Sequence, residues 1–508
     1  MVGLVRSSRF LRRTGAGSRL RFTRVMTLVG LLAAIPTATT SALPAITLTP
    51  VVDIVPGMHG SQIVAPRGFF AALERAQAAH ASGVGSAVIP SFSRQTKLAC
   101  SACHYAFPAL TPFGRRFKLN GYTLTGLATI GEPTDTSGGL KLAPFPPASA
   151  MIVASVTRTN TAQPATQNNT TSFPQQASIF FSGQVTSNLG AFTQFTYTAN
   201  DGKIGIDNVD VRYARHATMG DRDVLIGVTL HNNPTVQDVW NTTPAWGYPF
   251  MASSVAPSPA AATLIDGALA QQVVGLGVYS LFDNLLYAEA TVYRSAPQGS
   301  AMPLDSSATN VTNGVAPYWR LALQHQAGPT YMMIGTYGFG ANLYPQGVIG
   351  KTNRYTDVGA DAQVEHSMGT TVVIGRATYI HERQHLAAAF TQAPQGAESL
   401  EPALSTVRAN VGFLANQRYG GTVGFFQTTG TRDTLLFTPS VLTGSRTGSP
   451  NSAGESVELT YNAWENTRFG LQYVRYSKFN GASTAYDVSG GRSASDNNTL
   501  YMYTWLAF

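Results

Sequence analysis

Over most of the chain, hydrophobic and polar residues alternate in segments that Gly, Asn, Pro and Ser separate. In the segment VELTYNA at residues 457–463, Val457, Leu459 and Tyr461 fall on one face of a strand and Glu458 on the other. The segment DVGADAQVE alternates in the same way. Strands of about ten residues with this alternation are typical of a barrel wall that faces lipid on one side and a wet lumen on the other.

Sixteen alternating segments follow one another through the C-terminal part of the chain. We predict strands at 149–160, 176–187, 190–200, 203–216, 222–232, 271–281, 284–295, 315–326, 329–341, 355–366, 370–384, 404–416, 419–430, 455–463, 467–479 and 498–508. The short connectors are 188–189, 217–221, 282–283, 327–328, 367–369, 417–418 and 464–466. Long connectors lie between them, at 233–270, 296–314, 342–354, 385–403, 431–454 and 480–497. Outer-membrane barrels likewise alternate short periplasmic turns with long outer loops, although the connector at 201–202 is short on the outer side.

The end of the chain supports a membrane barrel. It reads LYMYTWLAF, an alternating strand that closes on the aromatic Phe508, as barrel proteins inserted into the outer membrane do. A soluble all-β sandwich or propeller remains as the alternative. The predicted fold is mainly β, a 16-stranded transmembrane outer-membrane β-barrel, porin-like, over 148–508.

The residues before the barrel differ in kind. Residues 1–42 contain seven arginines and no acidic residue, then an apolar run from Met26 to Ile35 and small residues up to Ala42. This is the pattern of an export signal peptide cleaved after Ala42. The sequence from Arg67 to Ser82 predicts a short amphipathic helix, and Pro-rich residues lead into the first strand.

Charge and composition agree with a lipid-facing surface. The chain has 34 Lys and Arg against 26 Asp and Glu, and removing the seven signal arginines leaves 27 against 26. A nearly neutral mature chain lacks the basic patch that nucleic-acid binding needs, so no nucleic-acid partner is expected. Charged residues make up 12% of the chain, about half the usual share for a soluble protein. No apolar run is long enough for a membrane-spanning helix, which leaves a barrel.

The only two cysteines lie together in the sequence CSACH, at Cys100 and Cys103 with His104 directly after them. This is the C-x-x-C-H pattern of covalent haem c attachment, in which two thiols form thioethers and the His binds the iron as the proximal ligand. A thioredoxin-like pair would need a βαβ setting, and structural zinc would need two more ligands. A disulfide across three residues would close too small a loop to stabilise much. We therefore predict one covalently attached haem c in a small, partly helical unit at 43–147.

The sixth iron ligand is open in the sequence. His59 is the preferred distal candidate because it follows a Pro-Gly turn within the haem unit. The other candidates are Met58, His80, His231, His325, His366, His381 and Met332. The cations Arg115, Arg116 and Lys118 follow the motif and either pair with haem propionates or are solvated.

These residues resemble the monohaem cytochrome–porin fusions of the outer membrane of Fe(II)-oxidising bacteria. The resemblance rests on CSACH, on PALTPFGRRFKLNGYTL at 108–124, on NNPTVQDVWNTTPAWGYPF at 232–250 and on the barrel. It implies an electron-transfer protein of the iron oxidase type. Its haem would take electrons from extracellular Fe(II) by outer-sphere transfer and pass them to a periplasmic carrier, a cytochrome c or a cupredoxin. The haem motif and the barrel together predict a haem unit at the periplasmic side of the outer membrane or within the lumen.

Two other functions remain open from the sequence. One is a diffusion porin with the haem unit as a plug, and the other is a conduit for a different extracellular donor or acceptor. A siderophore or haem importer is not expected, because such importers are plugged barrels of about 22 strands and this chain predicts sixteen. The PAWGYPF segment fits four alternatives. It could contact the haem, narrow the lumen or form a docking surface, or it could be an outer loop that packs on its own aromatic residues. The oligomeric state is undetermined.

Overall fold

The computed structural model describes residues 90–124, 147–163, 170–198, 202–295, 310–347, 349–391, 396–440 and 443–508. The predicted signal peptide, the predicted helix from Arg67 to Ser82, and the ligand candidates Met58, His59 and His80 lie outside these residues. In the described part of the chain, no helix is long and apolar enough to span a membrane.

Sixteen antiparallel strands form the barrel, and a two-residue strand at Val311–Thr312 extends one of its loops. The strands are Ala148–Thr159, Thr170–Gln184, Leu189–Thr198, Lys203–Met219, Arg222–His231, Val273–Phe282, Leu286–Ser295, Ala316–Ala327, Thr330–Tyr344, Asn353–Met368, Thr371–His385, Ala403–Ala415, Tyr419–Gly430, Ser452–Trp464, Thr467–Lys478 and Thr499–Ala507. The last strand pairs with the first, with Thr499 opposite Thr159 and Ala507 opposite Met151. The barrel is therefore closed, and the predicted fold class is confirmed.

The two faces of the wall follow the predicted alternation. Val457 and Leu459 are exposed on the outer face, whereas Glu458 between them is buried in the lumen. On the strand Asn353–Met368, Asp361 points inward and Val358 outward. A closed ladder satisfies the backbone hydrogen bonds, and its apolar outer face suits lipid, as in outer-membrane barrels.

One strand begins well before its predicted start, whereas the other strands begin within three residues of theirs. Thr170–Gln184 starts six residues before residue 176, and Pro174 lies within it. Proline usually ends a strand, since it lacks an N–H for the ladder. Here the pairing with the first strand shifts between Val153 and Ser155, and it continues past the irregularity to Thr170.

A small unit before the barrel lies inside it. It contains three short helices, α1 (Ser91–Thr96), α2 (Cys100–Cys103) and α3 (Pro112–Leu119). A two-stranded hairpin, β1 (His104–Ala106) and β2 (Ala109–Leu110), joins α2 to α3. We call residues 90–124 the plug, because their side chains bond to the inner face of the wall.

The plug lies at the end of the barrel that carries the short turns. Ser101 donates a hydrogen bond of 3.0 Å to Glu465, which is in the turn 465–466. Arg116 donates one of 3.1 Å to Asn284, in the turn 283–285. This end faces the periplasm in outer-membrane barrels.

The long connector between His231 and Val273 folds from the opposite end into the lumen. We call it the inward loop, residues 232–272. Trp240 in this loop is 1% exposed and donates a hydrogen bond of 2.7 Å to the hydroxyl of Tyr331 on the wall. The loop also meets the plug, because Asn241 accepts a hydrogen bond of 3.0 Å from the backbone N–H of Leu110.

Candidate functional site

The local sequence holds the CSACH motif in one turn of helix followed by an extended residue. Lys97 ends α1 in the left-handed conformation, at φ 57°. The two cysteines then stand at the two ends of the single turn α2, and His104 continues as β1. The two thiols and the imidazole thus come from five consecutive residues.

Helix α3 packs directly on the motif. Thr111 caps α3 by accepting a hydrogen bond of 3.1 Å from Gly114 N–H, and its hydroxyl donates one of 2.6 Å to the carbonyl of Ala102. A Cβ on Gly114 would lie 2.1 Å from the carbonyl oxygen of Cys103. Only glycine permits this approach, which gives the FGRRFK segment a physical reason for its Gly.

A cavity opens beside the motif inside the barrel. It encloses about 1490 Å³ of space, part of it open to solvent. Both cysteines and His104 line it. The rest of its lining comes from the plug, from the inner wall, from the short turns and from the inward loop, including Phe92, Phe117, Phe180, Phe192, Trp246 and Trp505.

The chemical state of the motif suits haem c. Both cysteines are free thiols and half-buried, so neither is used in a disulfide. The Nδ1 atom of His104 is buried without a hydrogen-bond partner among the described residues. Burial lowers the pKa of His104 to about 4, which leaves the neutral imidazole that binds iron. Two free thiols, one neutral imidazole and a large aromatic cavity fit haem c.

The alternatives to haem find less support in the same residues. The described part of the chain contains no group of three or more His, Cys, Asp and Glu side chains placed to hold a metal ion. Burial also raises the pKa of Cys103 to about 12, whereas redox-active cysteines have a lowered pKa.

Two of the three cations that the sequence suggests as partners of haem propionates contact acidic residues of the barrel wall. Arg115 forms a bidentate pair with Glu365 of the wall, at 2.6 and 3.1 Å, and both side chains are at most 4% exposed. Arg116 lies 3.8 Å from Asp223 near the periplasmic rim. Both guanidinium groups thus contact the barrel wall, and neither arginine lines the cavity beside the motif. Their pairing with haem propionates stays a prediction.

Lys118 lines the cavity, but its ammonium group is already bonded. It donates to the backbone carbonyls of Val236 and Asp238, at 2.6 and 2.9 Å, in the inward loop. This lysine therefore ties the plug to the inward loop.

Arg468, which the sequence analysis did not single out, also lines the cavity. Its guanidinium lies 5.7 Å from the ring of Trp505, and its Nη1 lies 3.4 Å from the carbonyl oxygen of Phe107.

The barrel candidates for the sixth ligand are mostly on the wrong face. Met332 is 41% exposed on the outer face, and His325 is exposed with its neighbours Leu321 and Leu323. His366 and His381 share the outward face of their strands, bonded to Thr330 and Ser405. Of these residues, His231 alone points inward, where its ring nitrogens bond to Tyr293 and Thr229 at 2.6 and 3.1 Å.

The inward loop supplies part of the cavity wall. Asp238, Asn241 and Trp246 of this loop line the cavity, and Trp246 belongs to the PAWGYPF segment, so this segment reaches into the lumen. Its contact with haem stays a prediction. Met151 of the first strand is a second residue that sequence analysis missed. It is 3% exposed and lines the cavity with a thioether. Alternation places Met151 on the inner face, but the part of the lumen that it reaches depends on the whole barrel.

No family model matches the chain, and no curated protein matches it in sequence. Among solved structures, the outer membrane channel DcaP of Acinetobacter baumannii has 9% identity and a TM-score of 0.44, over 71% of this chain and 96% of that chain. The trimer form of OmpT, an outer membrane protein of Vibrio cholerae, has 9% identity and a TM-score of 0.40, over 71% and 98%. An anion-selective porin from Comamonas acidovorans has 10% identity and a TM-score of 0.39, over 71% and 98%.

Proposed function

We propose that this chain is an outer-membrane c-type cytochrome fused to its own barrel. In this proposal it takes electrons from extracellular Fe(II) and passes them to a periplasmic carrier, a cytochrome c or a cupredoxin. The observation that carries the proposal is the cavity in which two free thiols and the neutral imidazole of His104 meet inside the barrel lumen.

The residues around the cavity have distinct tasks in this function. Cys100 and Cys103 would hold haem c through two thioethers, and His104 would be its proximal ligand. Haem c supplies one-electron transfer when bound. Phe107, Phe180 and Trp505 pack on one another and give the cavity an aromatic wall on one side.

The position of the cavity supports transfer across the membrane. On the periplasmic side its lining includes Gln417 and Glu465 in short turns, which a soluble carrier could approach. Its lining also includes Trp246 of the inward loop, a loop that enters from the long-loop end. The barrel wall separates both from lipid. A redox group in this cavity would thus lie on an insulated path between the two ends.

Fe(II) is proposed as the donor on the resemblance of the sequence to the cytochrome–porin fusions. Outer-sphere transfer to an accessible haem edge requires no iron ligands from the protein. The test uses purified, oxidised protein in detergent, to which Fe(II) is added near pH 3 and near pH 7 while the visible haem bands are recorded. Rapid reduction at either pH is expected. Reduction by dithionite but not by Fe(II) would assign the site to another electron donor.

A diffusion porin is the second candidate, and the porin-like barrel itself favours it. In that function the plug would restrict the lumen, and solutes would pass around it. Planar-bilayer recording of the intact protein separates the two. The electron-transfer proposal expects conductance far below that of an open 16-stranded porin, whereas a diffusion porin would conduct steadily with the plug in place.

A further inference from the structure

Five arginines point outward from the barrel at the ends of strands near the long loops. On each of these strands the arginine shares its face with exposed apolar residues, such as Val156, Val292, Val358, Tyr379 and Tyr473. The arginines are Arg158, Arg294, Arg354, Arg383 and Arg475. They therefore lie just above the apolar belt, at the level where lipid headgroups begin.

The charge at this level is mostly positive. Two exposed carboxylates are found here: Glu455 pairs with Arg475 at 3.5 Å, and Glu401 pairs with His385. In the described part of the chain, no ion pair is found for Arg158, Arg294, Arg354 or Arg383. Exposed guanidinium groups without carboxylate partners remain available to an external anion.

The densest part of this arginine ring is on two neighbouring strands. Arg354 lies directly opposite His385, and Arg383 lies two residues from His385 on the same face. Diagonal neighbours of this kind have side chains about 7–8 Å apart, within reach of one ligand for long side chains. His385 itself is bonded to Glu401, so we call Arg354 and Arg383 alone the basic patch.

We propose that the arginine ring, and above all the basic patch, binds the phosphate groups of anionic glycolipid in the outer leaflet of the membrane. Guanidinium binds phosphate in a bidentate fashion, and it remains charged at every working pH. The apolar belt directly below the patch would contact the acyl chains of the same lipid. A lipid that carries phosphates above its acyl chains can contact both the two adjacent cations and the apolar wall below them. A free anion can contact only the cations.

The test measures binding of lipid A with two phosphates to the detergent-purified, haem-loaded protein by native mass spectrometry. Arg354→Gln with Arg383→Gln should weaken binding by about 25-fold, since each basic residue near an anionic lipid surface contributes about fivefold. Arg475→Gln is the matched control, and a change of less than twofold is expected because Glu455 already neutralises Arg475. The visible haem bands and the heat-dependent gel mobility of the folded barrel should not change.

Three results would overturn this proposal. Dephosphorylated lipid A could bind as tightly as the phosphorylated form, which would assign the affinity to the acyl chains. Arg475→Gln could weaken binding as much as the double variant, which would remove the patch as the specific site. Inorganic phosphate could bind with the same dependence on Arg354 and Arg383, which would assign the patch to free phosphate. None of these results bears on electron transfer.

Discussion

Arg115 illustrates how single residues hold the plug inside the barrel. Its guanidinium forms two hydrogen bonds to Glu365, stacks 4.2 Å from the ring of Tyr331 and donates to the carbonyl of Leu110. Tyr105 also donates to Glu365, at 3.1 Å. Because both ions are buried, each depends on the other to offset its lost hydration.

Replacing Arg115 by Gln should loosen the plug. Glu365 would be left as a buried, unpaired charge, which costs about 3–5 kcal/mol. Hydrogen exchange of the amides in Pro112–Leu119 should accelerate by at least 100-fold. Arg116→Gln is the control, because the pair of Arg116 with Asp223 is partly exposed and contributes below about 1 kcal/mol. Equal exchange in both variants would contradict the anchoring role of Arg115.

The two thiols of the CSACH motif are each expected to form one thioether bond to the haem. Cys100→Ala or Cys103→Ala removes one of two expected thioether bonds, so the haem should lose its normal bis-thioether attachment. The pyridine haemochrome band should move toward that of a haem with one free vinyl group. Ser101→Ala, between the two cysteines, should leave the band unchanged. A double variant, Cys100→Ala with Cys103→Ala, that retains covalent haem staining would contradict the assignment.

At this scale the sequence predicts the motif but not its surroundings. Spacing alone indicates Cys100, Cys103 and His104 as the reactive set, because the chemistry comes from consecutive residues. Arg468 and Trp505 lie about 400 residues later in the chain and reach the cavity only when the barrel closes. Arg115 looks like a haem partner in the sequence because its partner, Glu365, is 250 residues away.

Among the elements, the strands are the best predicted from sequence. Lipid on one side and the lumen on the other impose the alternation on every strand, so all sixteen segments carry the same signal. Strand ends are less certain. The early start of Thr170–Gln184 depends on a pairing irregularity near Val153, which alternation does not reveal. The inward loop is the element whose placement the sequence left open, since its aromatics suit an outer loop equally well.

The carboxylate of Asp238 holds the inward loop in its conformation. It accepts hydrogen bonds from the backbone N–H groups of Trp240, Thr242 and Thr243, at 2.9 to 3.1 Å, and lies 3.5 Å from Arg320. Asp238→Ala should cost the loop about 3 kcal/mol or more, since hydrogen bonds to charged groups contribute about 1.5–3 kcal/mol each.

The expected consequence is a leak through the lumen. Planar-bilayer conductance of the Asp238→Ala protein should rise several-fold above that of the unchanged protein. Asp487→Ala is the control, because Asp487 accepts hydrogen bonds from the backbone of Ser489 and Arg492 in a different loop, between the last two strands. No change in conductance for Asp238→Ala would mean that the inward loop does not limit passage.

At the scale of the whole molecule, the lumen is filled from both ends. The plug is bonded to the short-turn end and the inward loop enters from the long-loop end, and the two meet at Leu110 and Asn241. Lys118 connects them a second time through the carbonyl of Asp238. The candidate haem cavity lies where they join, inside a wall whose outer face suits lipid. This arrangement agrees with the transfer of electrons that we propose.

We propose that electrons, and not ions, cross through this barrel. The direct test places the protein in liposomes that contain oxidised cytochrome c and a ferrous chelator, and then adds Fe(II) outside. We expect reduction of the trapped cytochrome c with no ferrous chelate inside, and no reduction with the Cys100→Ala, Cys103→Ala double variant. Absence of reduction, or formation of the ferrous chelate inside with both proteins, would contradict the claim.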